Sequence, residues 1–247
     1  MADSKWEKFI AIGCTHGDLF DPKVKPVLQA FIKNWNPKHR IHLGDLFDLR
    51  ALRRNVSADE RQEGIAYDYS CGIELLDWYQ PHLLMLGNHD HRIWRAANEL
   101  ATHGVLAEAM RKLAEDTEEA FRKRKIQWRH YAVDQCVKLP CGGPRFLHGY
   151  RSTMYPAKAH FENWGDCVLA HVHKPDHYEA RHVDGGKSFT VGTLADISKM
   201  HYADATPAKL GWRQSFLYGM INNRTGKWHG WQVINEGGDW ISPHGIL

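Results

Sequence analysis

His, Asp, Asn and Cys residues follow short apolar segments at five places along the chain, and this pattern constrains the fold most strongly. Three of these places are Gly13-Cys14-Thr15-His16-Gly17, Leu43-Gly44-Asp45-Leu46-Phe47-Asp48 and Leu86-Gly87-Asn88-His89-Asp90. The other two are His148-Gly149 and His171-Val172-His173. Parallel strands end at one edge of their sheet, and ligand-binding side chains collect at that edge. The sequence therefore predicts one metal centre at the strand ends of a sheet.

Strands and helices alternate in the first half of the chain. Continuous apolar character predicts strands at residues 8–12, 41–43 and 82–86, and helical spacing of apolar residues predicts helices at 27–35 and 65–79. This alternation is typical of parallel strands joined by crossovers. Residues 93–125 are charged and predicted to be helical. The rest is predicted to hold one helix, 155–164, and the strands 126–133, 136–139, 145–147, 168–170, 177–182, 188–191, 216–221 and 228–234. A turn is predicted at Cys141-Gly142-Gly143-Pro144.

Composition excludes several classes of protein. The 247 residues are 43% hydrophobic and 25% charged, and they contain no apolar run of the roughly 18 residues that a membrane helix needs. The first residues lack the apolar core of a secretion signal, and the five cysteines form no CxxC pair. We therefore expect a cytoplasmic protein with reduced thiols and no membrane partner. The net charge of +3 is too small to indicate nucleic-acid binding by itself.

The order of the five motifs resembles that of the calcineurin-like metallophosphoesterase superfamily, whose pattern is D-x-H, G-D-x-x-D, G-N-H-[DE], H and G-H-x-H. The segment from Leu49 to Ser57 and the motif spacing are more loosely similar to small phage- or prophage-encoded members. The resemblance implies an α/β fold, a four-layer α-β-β-α sandwich with two mixed β-sheets flanked by helices. We expect residues 1–247 to form a single domain, with a helical insertion at about 93–125.

The resemblance also implies a site for two divalent metal ions. Asp45 would bind both ions, because a carboxylate has two oxygens. The remaining ligands of the first ion would be Cys14, His16 and His173, and those of the second would be Asn88, His148 and His171. Attack of a metal-bound hydroxide on phosphorus would follow, with His89 as the general acid for the leaving oxygen. Asp90 would orient the His89 ring.

Cys14 departs from the resemblance, because an aspartate is usual at that position. A thiolate is a soft ligand, which favours zinc or iron over magnesium or calcium, and the expected metals are Mn, Zn or Fe. Cys14 either binds the metal directly, or lies near a metal held by His16, Asp45, His173 and water, or leaves a weak site that Asp18 reaches. A cysteine-nucleophile phosphatase is disfavoured, because no arginine lies between Gly17 and Asp21. Ala170 replaces a usual glycine, a small change that we expect to be tolerated.

Four arginines are the candidates for binding substrate phosphate, because guanidinium is a planar, bidentate partner for phosphate. They are Arg50, Arg53, Arg54 and Arg92, and the alternative is that they are merely solvated. These arginines, the mild basicity and the many Trp and Tyr residues favour a nucleotide or nucleic-acid substrate. The predicted function is a phosphodiesterase or nuclease. The alternatives are a phosphomonoesterase, or a binding module of the same fold with weakened catalysis. The oligomeric state is left open.

Overall fold

Thirteen strands form two mixed sheets in the computed structural model, which describes residues 5–54, 56, 58–99, 104–181 and 183–247. The strands are β1 (Trp6–Ile12), β2 (His39–His42), β3 (Leu83–Met85), β4 (Gln127–Arg129), β5 (Val137–Leu139), β6 (Gly142–Phe146), β7 (Cys167–Leu169), β8 (Asp176–Glu179), β9 (Lys187–Thr190), β10 (Ser215–Asn222), β11 (Trp228–Glu236), β12 (Asp239–Ser242) and β13 (Gly245–Ile246). The first sheet has the order β13-β12-β11-β10-β1-β2-β3-β4, and the second has the order β5-β6-β7-β9-β8.

Parallel pairing brings the functional strand ends to common edges. In the first sheet β1, β2, β3 and β4 are parallel, whereas β10 to β13 pair antiparallel. In the second sheet β6, β7 and β9 are parallel, and β5 and β8 are antiparallel edge strands. The helices are α1 (Val24–Trp35), α2 (Ala58–Gln62), α3 (Ala66–Tyr79), α4 (Arg92–Asn98), α5 (Gly104–Lys123) and α6 (Pro156–Trp164).

Alternation along the strands divides the interior into layers. On β1, Ile10 and Ile12 belong to the core formed with the helices α1, α3 and α5, whereas Phe9 and Ala11 belong to the core between the two sheets. Successive strand side chains point to opposite faces, so a strand covered on both faces is continuously apolar. A third cluster lies on the outer face of the second sheet and includes Trp164 of α6. The layers are thus α-β-β-α, and the predicted fold class is confirmed.

Several local expectations differ from the structure. Gly142 and Gly143 were expected in a turn but belong to β6, where both have positive φ angles that glycine tolerates. The strands β12 and β13 were not predicted, because they are short and separated by glycine-containing turns. The helical region expected at about 93–125 comprises α4 and α5, and residues 100–103 lie outside the described residues.

The single-domain organisation and the description of residues 93–125 as an insertion stay predictions. Within the described ranges, no helix combines the length and the apolar character needed to cross a bilayer.

Candidate metal centre

The seven predicted metal ligands converge in the structure on one buried place. Two of the groups whose ligand atoms all lie within 4.8 Å of one another contain Asp45: Cys14, His16, Asp45 and His173 in the first, and Asp45, His148 and His171 in the second. Asn88 joins the second group, because its Oδ1 lies 3.1 Å from His148 Nε2 and 2.9 Å from His171 Nδ1. Asp45 belongs to both groups, so its carboxylate stands where a shared ligand would have to stand.

Each candidate ligand follows the end of a strand, on a tightly turning backbone. Five of the seven have positive φ angles, between 51° and 72°, and these are Cys14, His16, Asp45, His171 and His173. Non-glycine residues rarely adopt this left-handed region, and such strain persists only where the surrounding structure enforces it. The backbone at these strand ends is therefore shaped to bring the side chains together.

Two glycines of the motifs leave space that the site occupies. A Cβ atom added at Gly87 would lie 2.1 Å from Asp45 Oδ1, and one at Gly44 would lie 2.6 Å from His148 Nδ1. Both distances are far shorter than real contacts, so a side chain at either position would displace a candidate ligand. The glycines of G-D-x-x-D and G-N-H are thus explained by the closeness of the site.

The first group places a thiol among nitrogen and oxygen ligands. Cys14 Sγ lies 4.0 Å from Asp45 Oδ2 and accepts a hydrogen bond of 3.2 Å from the His171 backbone N–H. Burial, reinforced by the nearby Asp45 carboxylate, raises the pKa of the Cys14 thiol well above its usual range. His16 Nε2 and His173 Nε2 are 3.0 Å apart.

The carboxylate of Asp18, the alternative ligand for the first group, binds an arginine instead of joining that group. Both of its oxygens accept hydrogen bonds from Arg50, at 2.8 and 2.7 Å. Asp18 is also outside every group of candidate ligand atoms found among the described residues. The alternative in which Asp18 completes the first group is therefore wrong for this structure.

The second group is built from oriented imidazoles. His148 Nδ1 donates to the Leu43 carbonyl at 2.7 Å, and its Nε2 lies 3.3 Å from Asp45 Oδ2. A ring that donates from one nitrogen offers the lone pair of the other nitrogen to a metal. Burial lowers the pKa of His171 to about 3, so this ring is neutral at physiological pH.

The residues present fit a pair of divalent cations. His16 Nδ1 donates to Asp48 Oδ1 at 3.0 Å, and burial lowers the pKa of His173, whose buried Nδ1 has no hydrogen-bond partner among the described residues. The Nε2 atoms of the two rings face each other at 3.0 Å, close enough to bind one cation together. Imidazole, thiolate and carboxylate are the ligand types that zinc and iron prefer.

His89 lies at the edge of the two groups, but Asp90 does not orient it. His89 Nδ1 donates to Asp48, with the carboxylate Oδ1 at 2.9 Å and the backbone oxygen at 3.1 Å. The Asp90 carboxylate instead accepts backbone N–H groups of Phe47 at 2.9 Å and Gly87 at 2.8 Å. The predicted contact between Asp90 and the His89 ring is therefore wrong. Asp90 holds together the two loops that carry Asp45 and Asn88.

Asp48 is the functional candidate that the sequence reasoning missed. Its Oδ1 accepts hydrogen bonds from both His16 and His89, which connects the first ligand group to the candidate general acid. Its side chain is only 3% exposed. The signal was present, because Asp48 is the last residue of the G-D-x-x-D motif, but spacing along the chain does not show which imidazole a carboxylate reaches.

The four predicted phosphate-binding arginines have different surroundings. Arg50 is paired with Asp18, Asp48 and Glu63. Arg53 is paired with Glu60, and Arg54 is 70% exposed and lies 3.5 Å from Glu99.

Arg92 is buried, and its Nη1 donates to the Asp48 backbone oxygen at 2.7 Å. Among the described residues, no carboxylate lies within ion-pair distance of Arg92. A cavity of about 530 Å³ is lined by Arg53, Arg54, Asn88, Arg92, Arg95 and Tyr202. Arg95 was not predicted, and only its place one helical turn after Arg92 signalled it.

Ala170, the second departure from the motif pattern, is accommodated by its neighbour. It is fully buried, and a Cβ atom added at Gly13 would lie 2.7 Å from the Ala170 Cβ. The methyl group of Ala170 thus uses the space that glycine at position 13 leaves free.

The family model for calcineurin-like phosphoesterases matches residues 7–192. No curated protein matches the chain.

Similar solved structures include Vps29 from Chaetomium thermophilum, with 12% identity, a TM-score of 0.48, and coverage of 99% of this chain and 96% of that chain. A phosphoesterase from E. coli, Yfce, has 17% identity, a TM-score of 0.39, and coverage of 90% and 97%. A predicted phosphoesterase from Streptococcus pneumoniae TIGR4 has 10% identity, a TM-score of 0.38, and coverage of 100% and 94%. At these scores the likeness carries no weight for function.

The match of the family model spans most of the chain and includes all five motifs. The resemblance inferred from those motifs is confirmed: the chain belongs to the calcineurin-like phosphoesterase family and is a metal-dependent phosphoesterase.

Proposed function

We propose that the protein is a dinuclear-metal phosphodiesterase that acts on nucleotide or nucleic-acid phosphoesters. One observation carries this proposal: Asp45 belongs to two separate ligand groups, and the imidazole of His89 stands beside them. The backbone N–H of His89 donates to Asp45 Oδ1 at 2.9 Å, which fixes the candidate acid relative to the shared carboxylate.

The ligands divide as the two groups do. Cys14, His16, Asp45 and His173 would hold one cation, and Asp45, Asn88, His148 and His171 would hold the other. Two bound divalent cations supply Lewis acidity toward a phosphoryl oxygen and a nucleophile at neutral pH. The soft thiol favours zinc or iron in the first group, with manganese as the harder alternative.

His89 supplies the proton to the departing oxygen. Its Nδ1 is occupied by Asp48, so Nε2 is the nitrogen that remains to donate a proton. A carboxylate at Nδ1 stabilises the imidazolium, as in other oriented imidazoles. His89 lines a cavity of about 230 Å³ together with Asp45, His171, His173, Tyr202 and Trp212. This cavity is where the scissile phosphate would lie.

Arg92 supplies the charge for a second phosphate of the substrate. The guanidinium is buried, and this poor solvation lowers its pKa. A buried charge without an ionic partner is unfavourable, so an anion that enters the cavity beside Asn88 would be bound strongly. Arg50, by contrast, is neutralised by three carboxylates and has little capacity left for phosphate.

The position of this cavity supports a diester over a monoester. Asn88 lines both the cavity with His89 and the cavity with Arg92, so the two are adjacent. A substrate with phosphates on either side of a nucleoside would fill both cavities. A monoester with a single phosphate would place that phosphate in only one of them. A phosphomonoesterase remains the second candidate, because the Arg92 cavity would also accept the anionic part of a nucleotide monoester.

The experiment loads metal-stripped protein with Mn²⁺, Zn²⁺ or Fe²⁺ and compares bis(aryl) phosphate, aryl phosphate, cyclic nucleotides, mononucleotides and single- and double-stranded DNA. Hydrolysis of diesters in preference to monoesters is the expected result. Preference for monoesters would establish the second candidate, and no hydrolysis of any substrate with any metal would contradict the proposal.

Arg92→Gln tests the second phosphate. We expect the kcat/KM of this variant to fall by about tenfold or more on dinucleotides that carry a terminal phosphate besides the phosphodiester. On bis(aryl) phosphate, which has no second phosphate, kcat/KM should fall much less. Arg122→Gln is the control, because Arg122 is an exposed arginine at the end of α5. Equal losses of Arg92→Gln on both substrates would contradict the role given to Arg92.

A further inference from the structure

A second cluster of metal-binding residue types lies at the opposite end of the strands from the candidate metal centre. Glu7 is near the start of β1, His39 is the first residue of β2, and Cys141 lies in the turn between β5 and β6. Glu7 precedes Cys14 by seven residues, which is about 23 Å of extended chain. The cluster is therefore distinct from the catalytic centre.

The three ligand atoms are already close to the geometry of a zinc site. His39 Nε2 lies 2.7 Å from Glu7 Oε2 and 3.9 Å from Cys141 Sγ, and all three ligand atoms are within 4.8 Å of one another. A tetrahedral Zn²⁺ site with ordinary bond lengths separates such atoms by roughly 3.4–3.6 Å. The distance from His39 Nε2 to Glu7 Oε2 would have to lengthen and the distance to Cys141 Sγ would have to shorten, each by less than about 1 Å, to reach these values.

The surroundings leave the donor atoms available. Lys38 Nζ binds the other carboxylate oxygen of Glu7, Oε1, at 2.6 Å, so Oε2 faces His39. The side chains of His39 and Glu7 are 15% and 14% exposed. The site is thus mostly enclosed by protein but open to water, which is the usual fourth ligand where three protein side chains hold zinc.

The geometry points to a binding site for a soft divalent cation, with Zn²⁺ as its ligand, at Glu7, His39 and Cys141. Sulfur, imidazole nitrogen and carboxylate oxygen are the three donor types that zinc takes in proteins. The cation joins the turn of the second sheet to the first two strands of the first sheet. It therefore fastens the two sheets to each other at the end remote from catalysis.

The test counts bound ions in the full-length protein. Wild type, Cys141→Ser and His39→Gln are stripped with a chelator, reloaded with Zn²⁺, dialysed and analysed for metal. Cys136→Ser is the matched control, since Cys136 is another half-buried cysteine near the second sheet. We expect Cys141→Ser and His39→Gln to bind one ion fewer per chain than wild type and Cys136→Ser, while their Mn²⁺-dependent hydrolysis is unchanged.

Cobalt gives an independent readout of the ligand sulfur. The Co²⁺ spectrum of wild type minus that of Cys141→Ser should contain a thiolate-to-cobalt charge-transfer band, and the difference between wild type and Cys136→Ser should not. If Cys141→Ser does not fold, as judged by circular dichroism, the wild type minus His39→Gln difference provides the test. Equal ion counts in all proteins, or difference spectra without a thiolate band, would mean a hydrogen-bonded ion pair only and would overturn the proposal.

Discussion

The two ligand groups that share Asp45 differ in their donor atoms. The first contains the Cys14 thiol with two imidazoles, and the second contains the Asn88 amide with two imidazoles. A thiolate carries charge and is soft, whereas an amide oxygen is neutral and hard. The two candidate sites are therefore not equivalent in their donors, and the departure from the usual aspartate lies in only one of them.

The groups also differ in what holds their imidazoles. His16 of the first group donates to the carboxylate of Asp48, whereas His148 of the second group donates to the backbone oxygen of Leu43. A carboxylate partner makes an imidazole a stronger ligand than a carbonyl partner does. Asp48 also accepts from the His89 ring, so an imidazole of the first group and the candidate proton donor share one carboxylate.

The largest expected effect comes from breaking both groups at once. Asp45→Asn replaces the shared carboxylate with a neutral amide that has a single oxygen, so we expect both ions to be lost and kcat/KM to fall by at least about a thousandfold. Elemental analysis and hydrolysis of bis(aryl) phosphate measure the two results. Asp166→Asn is the control, because Asp166 is a half-buried aspartate that accepts from the Lys187 backbone N–H and the Trp228 Nε1–H, outside both groups. Retention of two ions by Asp45→Asn would show that the carboxylate is not shared.

The next largest effect is expected from removing the candidate proton donor while the metal ligands stay intact. His89→Ala should lower kcat by about a hundredfold or more on substrates with poor leaving groups, while the protein keeps its full metal content. On substrates with good leaving groups the loss should be much smaller, since these need no proton. Kinetics on a series of aryl esters checks the difference. A full rate on poor leaving groups would refute the role of His89.

Asp48→Asn extends this comparison to the first group. It leaves a neutral partner for both His16 and His89, so we expect a loss similar to that of His89→Ala together with weaker binding of one ion. Asp90→Asn should lower kcat less, because the Asp90 carboxylate touches backbone rather than the His89 ring. A larger loss of kcat for Asp90→Asn than for Asp48→Asn would instead support the orienting role that the sequence predicted for Asp90.

The convergence of the seven candidate ligands and the layers of the fold could both be predicted from the sequence, for a shared physical reason. Buried strands are continuously apolar, and each candidate ligand directly follows such a strand, so position along the chain predicts position in space. Hydrogen-bond partners do not follow this rule. Asp90 is next to His89 in sequence but bonds the backbone, whereas Asp48 reaches the His89 ring from another loop.

The arginines show the same limit. Arg50 and Arg92 are equally basic in sequence, but only folding brings three carboxylates to Arg50 and leaves Arg92 buried with a carbonyl. The short strands β12 and β13 were also beyond sequence reasoning, because they are defined by pairing at one edge of the first sheet, next to β11.

A smaller effect is expected on metal preference, which depends on the soft thiol in the first group. Cys14→Asp replaces the soft ligand with a hard one in the first group only, so we expect the preference for Zn²⁺ or Fe²⁺ over Mn²⁺ or Mg²⁺ to fall by about tenfold. Activity across a metal series measures this preference. Cys167→Ser is the control, since Cys167 is a buried cysteine of β7 outside both groups. Unchanged metal dependence of Cys14→Asp would show that the thiol is not a ligand.

The smallest effect is a difference in proton release. The pKa of the Cys14 thiol is raised by burial and by Asp45, so the thiol is protonated at neutral pH and must lose its proton to bind a metal. Burial lowers the pKa of His171 to about 3, so the second group releases no proton from this ring. We expect one proton to be released per chain at pH 7 as the first group fills, and the affinity of that group to rise with pH by about tenfold per unit.

Calorimetric titration of Zn²⁺ in buffers of different ionisation enthalpy measures this release. Cys14→Ser should release about one proton fewer than wild type, because a serine hydroxyl does not ionise at pH 7, whereas Cys167→Ser should release as many as wild type. Equal release by Cys14→Ser and wild type would mean that the thiol stays protonated beside a metal held by His16, Asp45, His173 and water. The two ligand groups would then differ in shape but not in charge, and the metal preference of the first group would have to come from its imidazoles.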